Sequence, residues 1–483
     1  VSAATRALAL VSVSAVACLG CSGGGGGGGA SGTSVAAATS AAPIVPSPPA
    51  SNVSPDAALA TALAAASVAP VPQPAQESPE LIALGQALFF DKILSGNRNI
   101  SCASCHNMAS ALGDDLPCSM GEGATGTGAA RQQNGGLLIA RNAPPLFDLG
   151  VDGVDTLFRD SRVDRDPTTG ELSTPELLLD GPSPGRPYIT AQLTSALAAQ
   201  AMFPVTTAEE MRGQPGSNEL ANAVTNEDVW SLLMARLVGT SDGTVGGIAA
   251  YRALFQAAYP TVASYDDLNF GHAARAIAAF ERSAFTGLDS PFDAYLGGDL
   301  TALTDGQKRG ALLFFGKANC ASCHSGPLLT DMGVHALAVP QVGPGKFTAF
   351  EDLGRSNVTN AVSDNYKFRT PPLRNVAVTG PWMHDGAYTT LEAAVRHVLD
   401  PAKGITTYDP TQLPSLFQPL VDTDANRIAA RIAAIDPLLV PIALADAEVA
   451  DLLDFLGSLT ESTPGTIPGL VPASVPSGLP VPD

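Results

Sequence analysis

Ser101-Cys102-Ala103-Ser104-Cys105-His106 is the stretch on which the reading of this chain turns. Two thiols three positions apart can add to the two vinyl groups of one haem, and the histidine directly after them can reach its iron. Cys-x-x-Cys-His therefore reads as a c-type haem attachment. The pattern returns as Cys320-Ala321-Ser322-Cys323-His324. With only 7 cysteines and 6 histidines in 483 residues, two such clusters are not expected by chance. Redox or zinc Cys-x-x-Cys sites, each trailed by a stray histidine, are the weaker alternative. The sequence thus predicts two covalently bound c-type haems. Cys102 and Cys105 hold the first, Cys320 and Cys323 the second, and His106 and His324 are the proximal iron ligands.

The flanks of the two motifs repeat as well. Gly85-Gln86-Ala87-Leu88-Phe89-Phe90 precedes the first, and Gly310-Ala311-Leu312-Leu313-Phe314-Phe315 precedes the second. Each reads as a helix whose apolar face packs on a haem. Further helical patterns run over 194–202, 226–237, 247–258, 272–283, 391–399 and 446–459, and no strong alternation of strand type stands out. The predicted fold is mainly α, with two cytochrome c-like haem domains in tandem, 80–298 and 299–461, and long loops.

The two ends differ in composition. Arg6 and the apolar run Ala7–Leu19 lead into Cys18-Leu19-Gly20-Cys21-Ser22. This resembles the signal of a bacterial lipoprotein over 1–21, which would place a lipid anchor on Cys21 and the protein in the periplasm. Residues 22–79 are rich in Gly, Ala, Ser and Pro and read as a disordered tether. Residues 462–483 read as a disordered proline-rich tail. A formal net charge of −20 argues against nucleic acid as a partner and suits a basic soluble electron donor. No run is long enough to span a bilayer as a mature helix, and with four of the seven cysteines in the haem motifs no disulfide framework is indicated.

Taken together, the two haem motifs, Arg141-Asn142-Ala143-Pro144, Gln200-Ala201-Met202-Phe203-Pro204, Glu210-Met211, Leu373-Arg374-Asn375 and His384-Asp385-Gly386 resemble the bacterial dihaem cytochrome c peroxidases, a family that includes the MauG-type enzymes. The resemblance covers roughly 80–460. It implies reduction of hydrogen peroxide to water at the first haem, with electrons reaching the second from a small donor such as a cytochrome c or a cupredoxin. It also admits a homodimer. Cleaving a peroxide requires one oxygen to lose a proton and the other to gain one, which a carboxyl of raised pKa can mediate. The resemblance puts that role on Glu210, with Glu209 as a rival and Gln200 and Pro204 beside it. It further implies a calcium ion between the haems, bound by the side-chain oxygen of Asn142 and the carbonyls of Thr379 and Pro381.

Three positions depart from the family pattern. Glu122 stands where many members carry a removable histidine ligand to the first iron, so that iron is expected to rest with an open or water-bound site, with Met108, Cys118 and Met120 as the alternative ligands. Arg159, in Phe158-Arg159-Asp160-Ser161-Arg162, replaces a tryptophan that lies between the haems. Val398 occupies the position of the second iron's distal ligand, which makes the adjacent His397 the expected replacement. Two other readings stand beside the peroxidase: a MauG-like oxidase or oxygenase acting on an organic or protein substrate, and a non-enzymatic dihaem electron carrier.

Overall fold

Gly85 and Gly310, the first residues of the repeated segments, explain why the repeat exists. The computed structural model describes residues 54–180, 187–348, 350–461 and 469–481. In it, Gly85 lies in helix α2 (Pro79–Phe90), against helix α3 (Phe270–Ala284); α1 is the earlier helix Pro55–Ala65. A Cβ on Gly85 would stand 1.9 Å from the carbonyl oxygen of Ala276. Gly310 lies in α4 (Asp305–Phe314), against α6 (Asp446–Gly457), and α5 is the intervening helix Leu391–Leu399. A Cβ there would stand 1.8 Å from the oxygen of Asp451. At both places two helices cross with their backbones touching, which only a residue without a side chain permits. The Leu-Phe-Phe runs that follow are helical, as their flanks predict.

Local signals start these helices. Ser78 caps α2 by accepting from the Leu81 amide, with Pro79 at the first helical position. Thr304 and Gln307 form a capping box on α4. Around α2 and α3 grows a first core that includes Leu84, Leu88, Phe89, Phe90, Phe255 and Phe280, all buried. Around α4 and α6 grows a second core, with Phe292, Phe314, Leu452 and Phe455. A third cluster, including Cys118, Met120, Val342, Tyr388 and Phe417, fills the space beneath the loops after each motif. Strand content is slight: a three-stranded antiparallel sheet over 156–173, and a pair formed by Val334–Ala336 with Lys367–Arg369.

Two segments expected to be disordered are ordered in part. In the 22–79 segment, α1 docks on the second core through Leu59 and Leu63, with Val68 just after it, and Asp56 pairs with Lys308 Nζ at 2.8 Å. Burying each of the two leucines contributes about 1.5–3 kcal/mol. In the 462–483 segment, residues 469–481 return to the first core: Val475 is buried there and Ser477 Oγ donates to Asp91 Oδ1 at 2.6 Å. Spaced leucine and valine side chains override a composition that reads as linker. The arm ahead of α2 thus binds the second core, and the tail after α6 binds the first. The lipid-anchor reading of Cys21, like residues 22–53, lies outside the described residues.

Replacing Gly310 with Val should drive α4 from α6 and cost at least about 1–3 kcal/mol, the usual scale of overpacking. The comparison is the urea midpoint of the haem-loaded protein. Gly457→Ala in α6, where an added Cβ meets nothing within 4 Å, should leave that midpoint within about 0.5 kcal/mol of the parent.

Candidate active site

The two motif histidines are placed by the same bonds. The His106 amide donates to the Cys102 carbonyl at 2.9 Å, and the His324 amide to the Cys320 carbonyl, also at 2.9 Å. Each ring then turns its Nδ1 to a backbone oxygen: His106 to Leu112 at 3.1 Å, His324 to Leu329 at 2.8 Å. A carbonyl can only accept, so Nδ1 must carry the proton and Nε2 keeps its lone pair for a metal. Burial lowers the pKa of both rings, which holds them neutral. Leu112 and Leu329 both sit in the left-handed backbone region, with φ of 60° and 53°. This turns a buried leucine's carbonyl back on the ring in each motif.

Cys102, Cys105 and His106 border a cavity of about 130 Å³, which Gln200, Pro204 and Glu210 also line. The distant segments singled out in the sequence therefore meet at one place. A haem fits the donors present. The Cys102 and Cys105 side chains and the His106 ring line the same space, and Arg159 Nε is a buried donor without a partner on the wall. Arg369 likewise has no carboxylate partner among the described residues, its guanidinium reaching the Phe158 and Thr370 carbonyls and Met332 Sδ. Burial pushes Arg159 down to about 9, with Arg369 and Arg141 adding to the effect, and Arg369 down to about 10. Unpaired guanidiniums of this kind suit the carboxylates of a haem.

Glu210 reaches the cavity because of an unusual turn. Residues Ala208–Arg212 form a π-helical turn, closed by Arg212 N donating to Thr207 O at 3.0 Å and Gly213 N to Ala208 O at 3.1 Å. Such turns re-aim a side chain that an ordinary helix would send elsewhere. Burial pushes the Glu210 carboxyl above its ordinary range; Lys346 and Arg162 pull it partly back, and Glu209 pushes it up. Among the described residues, Glu209 does not line the cavity.

Glu122 has a structural task. Its amide donates to the Glu210 carbonyl at 2.8 Å, and its carboxylate accepts from the side chains of Asn97 and Asn99. Gly121 lies so close that a Cβ would meet the Glu209 oxygen at 2.0 Å. The position at which the sequence lacks the expected removable histidine here braces the turn that presents Glu210. The proposed substitutes lie away from the cavity lining. Cys118 and Met120 belong to the third cluster, Cys118 Sγ donating to the Val342 carbonyl at 3.4 Å, and Met108 packs on the first core. Met211 does line the cavity, as do Lys346 and Glu281. Met211 belongs to a motif the sequence singles out, but Lys346 and Glu281 were passed over: Lys346 arrives from a distant loop, and Glu281 looks like one more polar position on α3. Burial pushes the Glu281 carboxyl up to about 8.

Beside the cavity, Arg141 bridges two buried carboxylates, Asp352 at 2.5 Å and Asp160 at 2.8 Å. Its neighbour Asn142 does not present the arrangement expected for calcium. Asn142 Nδ2 donates to the Pro381 carbonyl at 2.8 Å, while its Oδ1 accepts from Arg159. The amide oxygen and the Pro381 oxygen therefore do not face a common hole.

At the second motif, the expected iron ligand His397 has partners on both ring nitrogens. Its Nδ1 accepts from the Tyr388 hydroxyl at 2.8 Å and its Nε2 meets the Leu337 carbonyl at 2.8 Å, so neither ring nitrogen is free. It lies on the wall of a different cavity, which none of Cys320, Cys323 and His324 lines among the described residues. His335, near Cys323, is also engaged at both nitrogens, by Asp436 at 2.7 Å and Asp331 at 3.0 Å.

The arrangement defines a c-type oxidoreductase with two haem-attachment sites and a carboxyl beside the first. Residues 79–301 match the family described as di-haem cytochrome c peroxidase. Cytochrome c551 peroxidase of Pseudomonas aeruginosa is 30% identical over 312 residues, 65% of this chain and 69% of that protein. Methylamine utilization protein MauG of Methylorubrum extorquens is 29% identical over 346 residues, 71% of this chain and 75% of that protein. A crystal structure of a MauG-like protein associated with microbial copper homeostasis has a TM-score of 0.55 and 28% identity, covering 83% of this chain and 95% of that one. The chain belongs to the dihaem cytochrome c peroxidase and MauG family.

His106 is the one imidazole lining the first cavity among the described residues, and Glu122 is held away from it. The fully oxidised, haem-loaded protein should therefore bind cyanide at its first haem without prior reduction, followed at the Soret band. Binding only after one-electron reduction would show a capped iron, with Met211 the first residue to replace.

Proposed function

We propose that this protein is a peroxidase that reduces hydrogen peroxide to water. It would take electrons from a small soluble redox protein through two cytochrome c-like haem domains in tandem, 80–298 and 299–461. The observation that carries the reading is the Glu210 carboxyl, held by its π turn at the cavity of Cys102, Cys105 and His106. Haem bound there supplies the redox-active iron at which the peroxide O–O bond is cleaved. Glu210, its pKa raised by burial, accepts the proton of one peroxide oxygen and returns it to the other, which departs as water. Gln200 lines the same cavity and offers an amide to orient the peroxide. His106 keeps its proton on Nδ1 through the Leu112 carbonyl and so remains a neutral donor throughout. Two electrons and two protons convert each peroxide into two waters. Export to the periplasm, with an anchor at Cys21 and a homodimeric state, completes the proposal.

One observation favours a second reading, oxidation of an organic or protein substrate. The buried Tyr388 hydroxyl donates to His397 beside a cavity of about 640 Å³. Peroxide would be the oxidant for this phenol, and its proton would pass to His397 Nδ1 against the lowered pKa, about 4, that burial gives the imidazole.

Steady-state peroxide consumption with a reduced cytochrome c donor separates the two. The peroxidase reading expects turnover, and a loss on the order of a hundredfold or more in Glu210→Gln, the scale of general acid–base work. Unchanged turnover in that variant, with Glu209→Gln inactive, would move the role to Glu209. No donor-dependent turnover in the parent would favour the second reading.

A further inference from the structure

We propose that the guanidinium of Arg159 occupies the cation site between the two haem motifs, and that this protein binds no calcium at Asn142. The Asn142 side chain carries the argument. Its Oδ1 accepts from Arg159 Nη2, and its Nδ2 donates to the Pro381 carbonyl at 2.8 Å. Calcium would need the Asn142 oxygen and the Pro381 oxygen turned into one hole, each 2.3–2.6 Å from the ion. Here the amide's hydrogens lie on the Pro381 oxygen. Turning the amide over does not help, since its NH₂ would then face a guanidinium that has only donors to offer. The hydrogen-bond pattern is self-consistent in one orientation, and that orientation takes a guanidinium.

Arg159 is held there from both halves of the chain. The Arg369 amide donates to the Arg159 carbonyl at 2.8 Å, and Arg369 Nε donates to the Phe158 carbonyl at 3.2 Å. The Asn142 amide donates to the His384 carbonyl at 3.1 Å, which fixes Asn142 against the segment that contains Pro381. Among the described residues no carboxylate pairs with Arg159. Arg159 in place of the tryptophan the resemblance expects and the hydrogen bonding of Asn142 thus have one explanation: a fixed side-chain cation stands in for an exchangeable metal.

The test does not depend on the peroxidase reading, because metal content is measured without turnover. Wild-type protein matured with both haems and purified in calcium chloride should contain substoichiometric calcium by inductively coupled plasma mass spectrometry. Its Soret band and thermal midpoint should not respond to EGTA. Arg159→Leu and Arg159→Gln remove the guanidinium. Either variant should take up one calcium per chain and gain a calcium-dependent rise of a few degrees in thermal midpoint, lost again when Asn142→Ala is added. One calcium per wild-type chain, removed by EGTA with a fall in thermal midpoint, would overturn the proposal. So would folded Arg159 variants that acquire no calcium, since Arg159 would then replace nothing. If neither variant folds, the wild-type metal content still decides whether the site is calcium-free.

Discussion

The hydrogen bonds from His106 to the Leu112 carbonyl and from His324 to the Leu329 carbonyl decide what each motif can do. Two cysteines can tether a haem without a histidine in the correct tautomer. A histidine whose Nδ1 is free is a less defined ligand than one whose proton is fixed by a carbonyl. Much of the structure near the motifs supports that geometry. The left-handed leucines turn the carbonyls inward, and both leucine side chains are buried, at 1% exposure, so the turns are anchored by the cores. The cores in turn close through the glycine crossings of α2 with α3 and α4 with α6. Local backbone and global packing agree, which is the condition for a single native arrangement.

Between the two motifs the chain spends charge rather than apolar surface. Arg141 is clamped by Asp352 and Asp160, all three buried, in a bidentate and bridging geometry. Removing one partner of such a cluster leaves an uncompensated buried charge, which costs about 3–5 kcal/mol. The cluster joins residues from before and after the second motif, with Phe368 stacked on His384 at 3.7 Å beside it. Glu210 benefits from this distribution. The cations nearest it, Lys346 and Arg162, keep its pKa from rising as far as burial alone would carry it, so the group can both take and give a proton.

The haem motifs were legible in the sequence because two cysteines and a histidine at fixed spacing have few other uses. The helices of the repeated segments were legible as well, since their period and caps are local. The meeting of Gln200, Pro204 and Glu210 at one cavity followed from the resemblance, not from any local pattern. The π turn was invisible: Ala208-Glu209-Glu210-Met211-Arg212 has the composition of an ordinary exposed helix, and only bonds to Thr207 and Ala208 make it otherwise. His397 misled for a related reason. Its place next to Val398 suggested a ligand, but Tyr388 and Leu337 claim its two nitrogens through contacts that sequence spacing does not encode. The arms at each end were read from composition, which does not register that Leu59, Leu63 and Val475 each find an apolar socket far away in the chain.

The central claim is that a buried, proton-transferring Glu210 carboxyl governs the first site. Its most direct test is the pH dependence of the second-order reaction of the oxidised, haem-loaded protein with hydrogen peroxide. Burial raises the folded-state pKa of Glu210, and the ionised form is the base, so the rate should rise with pH through a midpoint above the ordinary carboxylate value of 4.5. In Glu210→Gln that rise should vanish and the rate should stay at its low-pH floor. A profile with the same midpoint and amplitude in Glu210→Gln would contradict the account, because some other group would then be moving the proton.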